Sequence, residues 1–243
     1  MDWDSESDAS VATRLLLEKN DPKCIKLTIR KREDYWPSNA REWRKRGESI
    51  AHNTYSKKLT YCTSPVSNEN VPEEDVEGLF CDIAKNSSIQ TLRLWSIPLR
   101  RKLFKILVQF FVNNHNFEDL GIEFCACEST HLASTLSQFS SLKEFTFCNE
   151  ERHSDGQLRP IIDVLASHSG LRKLHLHGTC NGESAFAGLA TLLQNTQSKL
   201  ISLVLSNASI NNQEVAALAT GLTSNSVLRE LNLNNNLGIT ETG

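Results

Sequence analysis

The sequence predicts an α/β solenoid, a stack of short parallel strands each followed by a helix. Two observations carry this expectation. A phrase of the form Leu-x-x-Leu-x-Leu-x recurs eight times along 243 residues. Successive phrases start 32, 33, 28, 25, 29, 29 and 28 residues apart. A repeat of that period is one supersecondary unit that cannot bury its apolar side alone and must stack on its neighbours. Such a stack is an extended surface suited to binding rather than a closed pocket suited to chemistry.

The clearest phrases are residues 171–176, 200–205 and 228–233. The first, fourth and sixth positions read Cys24, Leu27, Ile29; Ser56, Leu59, Tyr61; Ile89, Leu92, Leu94; and Phe117, Leu120, Ile122. The second half reads Leu142, Phe145, Phe147; Leu171, Leu174, Leu176; Leu200, Leu203, Leu205; and Leu228, Leu231, Leu233. Ser56 is the only polar residue among these 24, where 39% apolar content alone would give about 9 apolar residues. Alternation at positions four and six marks a strand with one buried face. Parallel neighbours need a crossover element between them, and each gap supplies an amphipathic helix. The first helix buries Trp43 and Ile50 and sets Arg41, Lys45 and Glu48 toward solvent. Val76, Leu79, Phe80 and Ile83 stripe the second, with Pro72 in its first turn, and Leu103, Ile106, Leu107 and Phe110 stripe the third. Later stripes are Phe186, Leu189, Ala190, Leu193 and then Val215, Leu218, Ala219, Leu222, the last opened by an Asn211–Glu214 capping box. Residues 24–243 leave no room for a domain boundary.

The ends differ. Residues 1–23 are acidic and Ser-rich with one apolar burst, Leu15-Leu16-Leu17, and are expected to be a crude cap or disordered. At the other end the chain stops at Gly243, before the helix of the last repeat. That predicts exposed apolar core and an unpaired strand edge, hence a fragment of a longer array or an edge-to-edge association with another chain, the fragment being preferred.

A formal charge of -3 argues against a general nucleic-acid or membrane role. No apolar run approaches the roughly 18 residues of a spanning helix, and the acidic start lacks the features of a signal peptide. Seven scattered cysteines are expected to be reduced and structural. The sequons at Asn86 and Asn207 are short enough to arise by chance. A soluble cytoplasmic protein is expected.

The phrase and its length resemble the leucine-rich repeat family, ribonuclease-inhibitor-like class. The resemblance implies a curved right-handed horseshoe, with the parallel sheet on the concave face and the helices on the convex face. The family consensus continues with Asn or Cys at position nine and an apolar residue at eleven. Cys125 and Cys127 match both, and Asn236 matches the first. Ile97, Thr179 and Ala208 depart at position nine, so their repeats are expected to lack the side-chain rung that Asn supplies to the backbone.

In that architecture the outward strand positions line the binding face. Position five gives Thr28, Thr60, Arg93, Gly121, Thr146, His175, Val204 and Asn232. Position seven gives Arg30, Cys62, Trp95, Glu123, Cys148, His177, Ser206 and Asn234. Trp95 beside Arg93 is the residue pair most enriched at binding hot spots, although Trp95 could instead cover an irregular repeat edge. Glu118, Asp119 and Glu123 against Arg172, Lys173 and His175 offer charge complementarity, with Thr146 and His177 between and beside them. Glu123, Cys148, His175 and His177 are metal-ligand types, but strands hold them too far apart for a tight site, so no metal is expected. Cys125 and Cys127 read as core. The basic run Arg30-Lys31-Arg32 with Arg41, Arg44, Lys45 and Arg46 is interrupted by Glu33, Asp34 and Glu42 and reads as a solvated face. No nucleophile elbow, phosphate loop or dinucleotide fingerprint occurs, and no cofactor is implied.

The function expected is a non-enzymatic scaffold that binds a protein partner along its sheet. Two alternatives stand beside it. One is a regulator of the GTPase-activating kind, with Arg93 as the donated arginine. The other is the sensor part of a larger receptor.

Overall fold

The computed structural model describes residues 15–30, 40–63, 72–148, 158–178 and 182–241. Most of the segment 1–23 lies outside the described residues, as do Lys31, Arg32, Glu33, Asp34 and Thr179. The strands are β1 (Lys26–Arg30), β2 (Lys58–Cys62), β3 (Thr91–Trp95), β4 (Asp119–Glu123), β5 (Glu144–Cys148), β6 (Lys173–His177), β7 (Ser202–Val204) and β8 (Glu230–Asn232). They are parallel and ordered in the sheet as in the chain. Between them run α1 (Ala40–His52), α2 (Glu73–Ile83), α3 (Arg101–Asn113), α4 (Ser129–Leu136), α5 (Arg159–Ala166), α6 (Glu183–Gln194) and α7 (Asn212–Leu222). The fold is therefore an α/β repeat solenoid with an open parallel sheet. The chain divides into two compact units, one of residues up to Arg93 with Arg101–Phe117, the other of Leu94–Arg100 with residues from Glu118 onward.

In the first unit, β1 and β2 align Leu27 with Leu59 and Ile29 with Tyr61 on the buried side, and Thr28 with Thr60 on the other. Lys57 O accepts from the N–H groups of Gln90 and Thr91 at 2.7 and 2.9 Å, which sets β3 beside β2. Trp43, Tyr61 and Phe80 form one aromatic cluster, with centroids 6.5 and 5.4 Å apart in sequence. Phe110, Phe111 and Phe117 form another. Every apolar stripe residue expected on α1, α2 and α3 is buried. Pro72 sits at the N-cap of α2, one residue before its first turn. Gly47 lets α1 approach α2 closely, since a Cβ there would meet the Asp82 Cβ at 2.8 Å. Of the N-terminal burst, Leu17 is buried and Leu15 exposed. Asn20 Oδ1 accepts from the Thr54 N–H at 3.0 Å and ties that segment down.

In the second unit the buried rows run Leu120–Phe145–Leu174–Leu203–Leu231 and Ile122–Phe147–Leu176 across the strands. All are buried except Leu231, which is 39% exposed on the last strand. Ala219 on α7 is also exposed, and Val215 and Leu222 are half-buried, because no described element packs on that side. The Asn211–Glu214 capping box is present, with Asn211 Oδ1 accepting from Glu214 N at 3.2 Å and Glu214 Oε2 from Asn211 N at 2.8 Å.

Chain reversals inside this fold leave backbone groups that must be satisfied away from water. Side chains three residues before a phrase do this at one end of the strands. Asn86 Oδ1 accepts from Ser88 N and Ile89 N at 2.8 and 3.0 Å, and its Nδ2 donates to Ile50 O and Asn53 O, each at 2.7 Å. Asn53 accepts from Tyr55 N and Ser56 N in the same way, and Asn114 donates to Ile89 O. In the second unit Asn225 accepts from Val227 N and Leu228 N and donates to Leu193 O. His168 spans the same gap, its ring nitrogens 2.8 Å from Val164 O and from Phe139 O. Ser56, the one polar residue at a consensus apolar place, donates its hydroxyl to Cys24 O at 2.6 Å.

Position nine serves the other end. Asn236 Oδ1 accepts from Ala208 N and Ile210 N at 2.8 and 3.1 Å while its Nδ2 donates to Leu205 O and Leu233 O. Cys125 does part of this with its thiol, which lies 3.4 Å from Leu94 O and 3.3 Å from Glu123 O.

Replacing Asn86 by Asp keeps the acceptor, removes both donations and sets a buried negative charge against the carbonyl oxygens of Ile50 and Asn53. Urea denaturation of Asn86→Asp is expected to show a loss of about 2–4 kcal/mol. The same change at exposed Asn207 should leave stability within about 0.5 kcal/mol.

Candidate protein-binding surface

Of the residues expected to contact a partner, Arg93 lies in the first unit; Trp95, Asp119, Glu123, Thr146, Lys173, His175 and His177 occupy the strand face opposite the buried rows of the second unit, and Glu118 and Arg172 lead into its strands. The outward row at position five reads Gly121, Thr146, His175, Val204, Asn232 in register, and position seven aligns Glu123 with Cys148 and His177. Adjacent parallel strands stand about 4.8 Å apart, so these side chains form one continuous lining. Most are half-buried, Gly121 and Cys148 fully so. His177 Nδ1 lies 3.1 Å from Ser206 Oγ on the next repeat. Arg93 is half-buried on β3 and belongs to the first unit, so the Arg93–Trp95 pair falls in two units.

Trp95 is half-buried, and its ring lies on Phe124 with centroids 4.6 Å apart and planes tilted by 48°. It thus covers part of the turn after β4, in the manner of the edge-covering alternative, while the rest of the ring stays open. Phe124 is a residue that sequence reasoning passed over. Its φ of 55° lies in the left-handed region, which strains a bulky residue by about 1–2 kcal/mol. The other described position-eight residues in this unit, Ser96, Gly178, Asn207 and Asn235, share that conformation. The signal was therefore available: one aromatic in a column otherwise made of small or turn-forming residues.

The charged residues are arranged by pairing along the strand starts. Glu118 Oε1 accepts from Lys143 Nζ at 2.7 Å, and Glu144 Oε1 from Lys173 Nζ at 2.8 Å. Lys143 and Glu144 were not anticipated, although their places in the repeat, next to Glu118 and Lys173 on neighbouring strands, contained the information. The hydrogen bond to Glu144, helped by the charges of Glu144, Glu230 and Asp119, raises the Lys173 pKa. These pairs are exposed and hold the lining in place more than they stabilise the fold. Arg172 stands exposed at the start of β6. Strand β4 with the residue before it is thus acidic, through Glu118, Asp119 and Glu123. Strand β6 and its lead-in carry Arg172, Lys173, His175 and His177.

Burial pushes the thiols of Cys125 and Cys127 up to about 12. Among the described residues no three His, Cys, Asp or Glu side chains gather as a metal site, and no helix is long and apolar enough to cross a membrane. What remains is a registered, chemically varied sheet face, the feature that distinguishes one repeat solenoid from another.

No family model and no curated protein matches the chain. Among solved structures it is similar to the actin-binding site 2 of leiomodin-1, with a TM-score of 0.37 and 14% identity over 74% of this chain and 85% of that one. It is also similar to an internalin from Listeria monocytogenes str. 4b F2365, with a TM-score of 0.42 and 16% identity over 80% of this chain and 66% of that one. At such scores the likeness says nothing of what this chain binds.

The raised thiol pKa values make a chemical prediction. At neutral pH the thiolate fraction of Cys125 and Cys127 is about a thousandfold below that of an ordinary thiol. Iodoacetamide labelling of the native protein, read by peptide mass spectrometry, is expected to modify exposed Cys81 and spare both until denaturant is added. Labelling of either at the rate of Cys81 would show that the turn after β4 opens in solution.

Proposed function

We propose that this protein is a non-enzymatic scaffold of the leucine-rich repeat kind, binding a protein partner on the open sheet face of its second unit. One observation carries the reading. Inward strand positions are interchangeable apolar residues, whereas the outward positions present Trp95, Glu123, Thr146, His175 and His177, and no residue type recurs from one strand to the next. A face of that kind encodes specificity without altering the fold. Trp95 serves as the aromatic anchor. The acidic β4 and basic β6 orient the partner by charge.

The reading places the protein in the cytoplasm. Asn86, the acceptor of one sequon, is buried and spends its amide hydrogens on Ile50 O and Asn53 O, so a glycan there is incompatible with the fold. Cys24, Cys81, Cys125 and Cys127 are free thiols, which suits a reducing compartment.

Capture from native lysate tests the proposal when paired with two charge insertions. Thr146→Arg, in the middle of the open face, is expected to abolish recovery of the partner without lowering the melting temperature. Thr191→Arg, on the exposed side of α6, should leave recovery intact. The reverse pattern would move binding to the helices.

A further inference from the structure

Charges at the strand starts follow one rule in the second unit and break it in the first. At the third position of the phrase Glu144 on β5 meets Lys173 on β6 at 2.8 Å, and at the second position Glu118 meets Lys143 at 2.7 Å. The corresponding third positions of β1 and β2 set lysine against lysine, since Lys26 and Lys58 are partners in the parallel register. Lys57 adds a third ammonium group beside them, and Lys23 a fourth just ahead of β1. Like charges directly opposite on neighbouring strands destabilise a sheet. Folding gains nothing from this arrangement.

No carboxylate offsets it. Strands β1, β2 and β3 contain no Asp or Glu. Among the described residues, Lys23, Lys26, Lys57 and Lys58 make no ion pair. Acidic side chains of this unit are engaged elsewhere, Glu18 with Lys45 at 3.5 Å, Asp82 with Lys85 at 2.6 Å, and Glu77 with Lys102. Glu42, Glu48, Glu73, Glu74 and Asp75 are carried by α1 and α2, whose aromatic residues pack on the inward side of the sheet. Asp21 is nearest in sequence, and its Oδ1 accepts from the Lys23 N–H at 2.8 Å. It leaves three of the four lysines without a counter-charge.

The surroundings suit an anionic protein segment. Thr28 and Thr60 align in the next outward row and offer hydroxyl donors beyond the lysines. Ile25 and Tyr55 stand at the same strand starts, 52% and 41% exposed. The N–H groups of Lys57 and Lys58 both donate to Ile25 O, which sets Ile25 beside the lysine cluster. Exposed apolar side chains among ammonium groups fit a peptide carrying both carboxylates and apolar residues. A sugar–phosphate backbone has little to place on Ile25, and a chain of net charge -3 does not attract a polyanion at long range.

We propose that Lys23, Lys26, Lys57 and Lys58 form a docking surface for an acidic segment of a protein partner. Its carboxylates accept from Lys26 and Lys58 across the two strands, and its apolar side chains cover Ile25 and Tyr55. The surface lies wholly in the first unit and does not depend on the reading of the second.

The test titrates dye-labelled probes with the full chain and reads binding by fluorescence anisotropy. The probes are a glutamate-rich peptide interspersed with leucine, the same peptide with lysine for glutamate, and an oligothymidylate of equal negative charge. The acidic peptide is expected to bind saturably and to weaken as salt is raised. The lysine peptide should not bind, and the oligothymidylate should bind more weakly. Lys26→Glu is expected to weaken the acidic peptide by about tenfold, and Lys58→Gln by about threefold. Lys26→Glu should melt at the same or a higher temperature, because it places a carboxylate opposite Lys58 as Glu144 stands opposite Lys173. Lys105→Glu makes the same change of net charge on the exposed side of α3 and should leave affinity unaltered. Absence of binding by the acidic peptide, or equal weakening by Lys26→Glu and Lys105→Glu, overturns the proposal. Oligothymidylate bound as tightly as the peptide overturns it too, since the patch would then be a general polyanion site. So does a melting temperature lowered by several degrees in Lys26→Glu, which would show that this lysine serves the fold.

Discussion

Everything in this fold depends on burying two chain reversals per repeat without stranding their peptide groups. Parallel strands satisfy their own N–H and C=O groups through the ladder, but the chain must leave and re-enter the sheet within about 29 residues, on average, and do so against apolar core. Amide side chains resolve the conflict because one group both accepts and donates. Asn86 links four backbone groups across two repeats, and Asn236 does the same at the opposite strand end. In two repeats other side chains take over part of the task, His168 at one end and the Cys125 thiol at the other. Leucines supply the driving force for stacking, while these rungs decide the register in which stacking occurs.

Once register is secured, the two faces of each strand come under different demands. Inward positions must fill volume, so Leu, Ile and Phe alternate there with little consequence. Outward positions carry almost no folding burden and can hold any chemistry. The pairing of Glu118 with Lys143 and of Glu144 with Lys173 shows a second layer of order on that free face. Charges on adjacent strands neutralise one another locally and fix long side chains that would otherwise lose entropy on binding. Trp95 and Phe124 depart from this economy, because Phe124 keeps a left-handed φ of 55° while only half-buried.

Much of the architecture was legible because period reports burial. Positions one, four and six of the phrase are the buried rows in seven repeats, down to Ser56, whose hydroxyl finds a carbonyl. The helical stripes on α1, α2, α3 and α6 follow the same logic, Ala190 alone being only half-buried. The exposure of Leu231 and Ala219 reflects what stands next to them, and no local pattern encodes that. The rungs were in plain view as Asn53, Asn86, Asn114, His168 and Asn225, each three residues before its phrase. Their meaning was hidden because a polar residue in a turn has many possible partners, and only the path of the neighbouring repeat selects one.

The sequence by itself determined the strand-and-helix repeat, the inward and outward sides of each strand, and hence the short roster of residues available for binding. Those properties follow from spacing along one chain segment. Tertiary structure decided that Trp95 rests on Phe124, that Glu118 is paired with Lys143, and that Lys173 is paired with Glu144. Each of the contacts joins residues about 25 to 30 positions apart, whose meeting is set by strand register and turn conformation rather than by any local pattern.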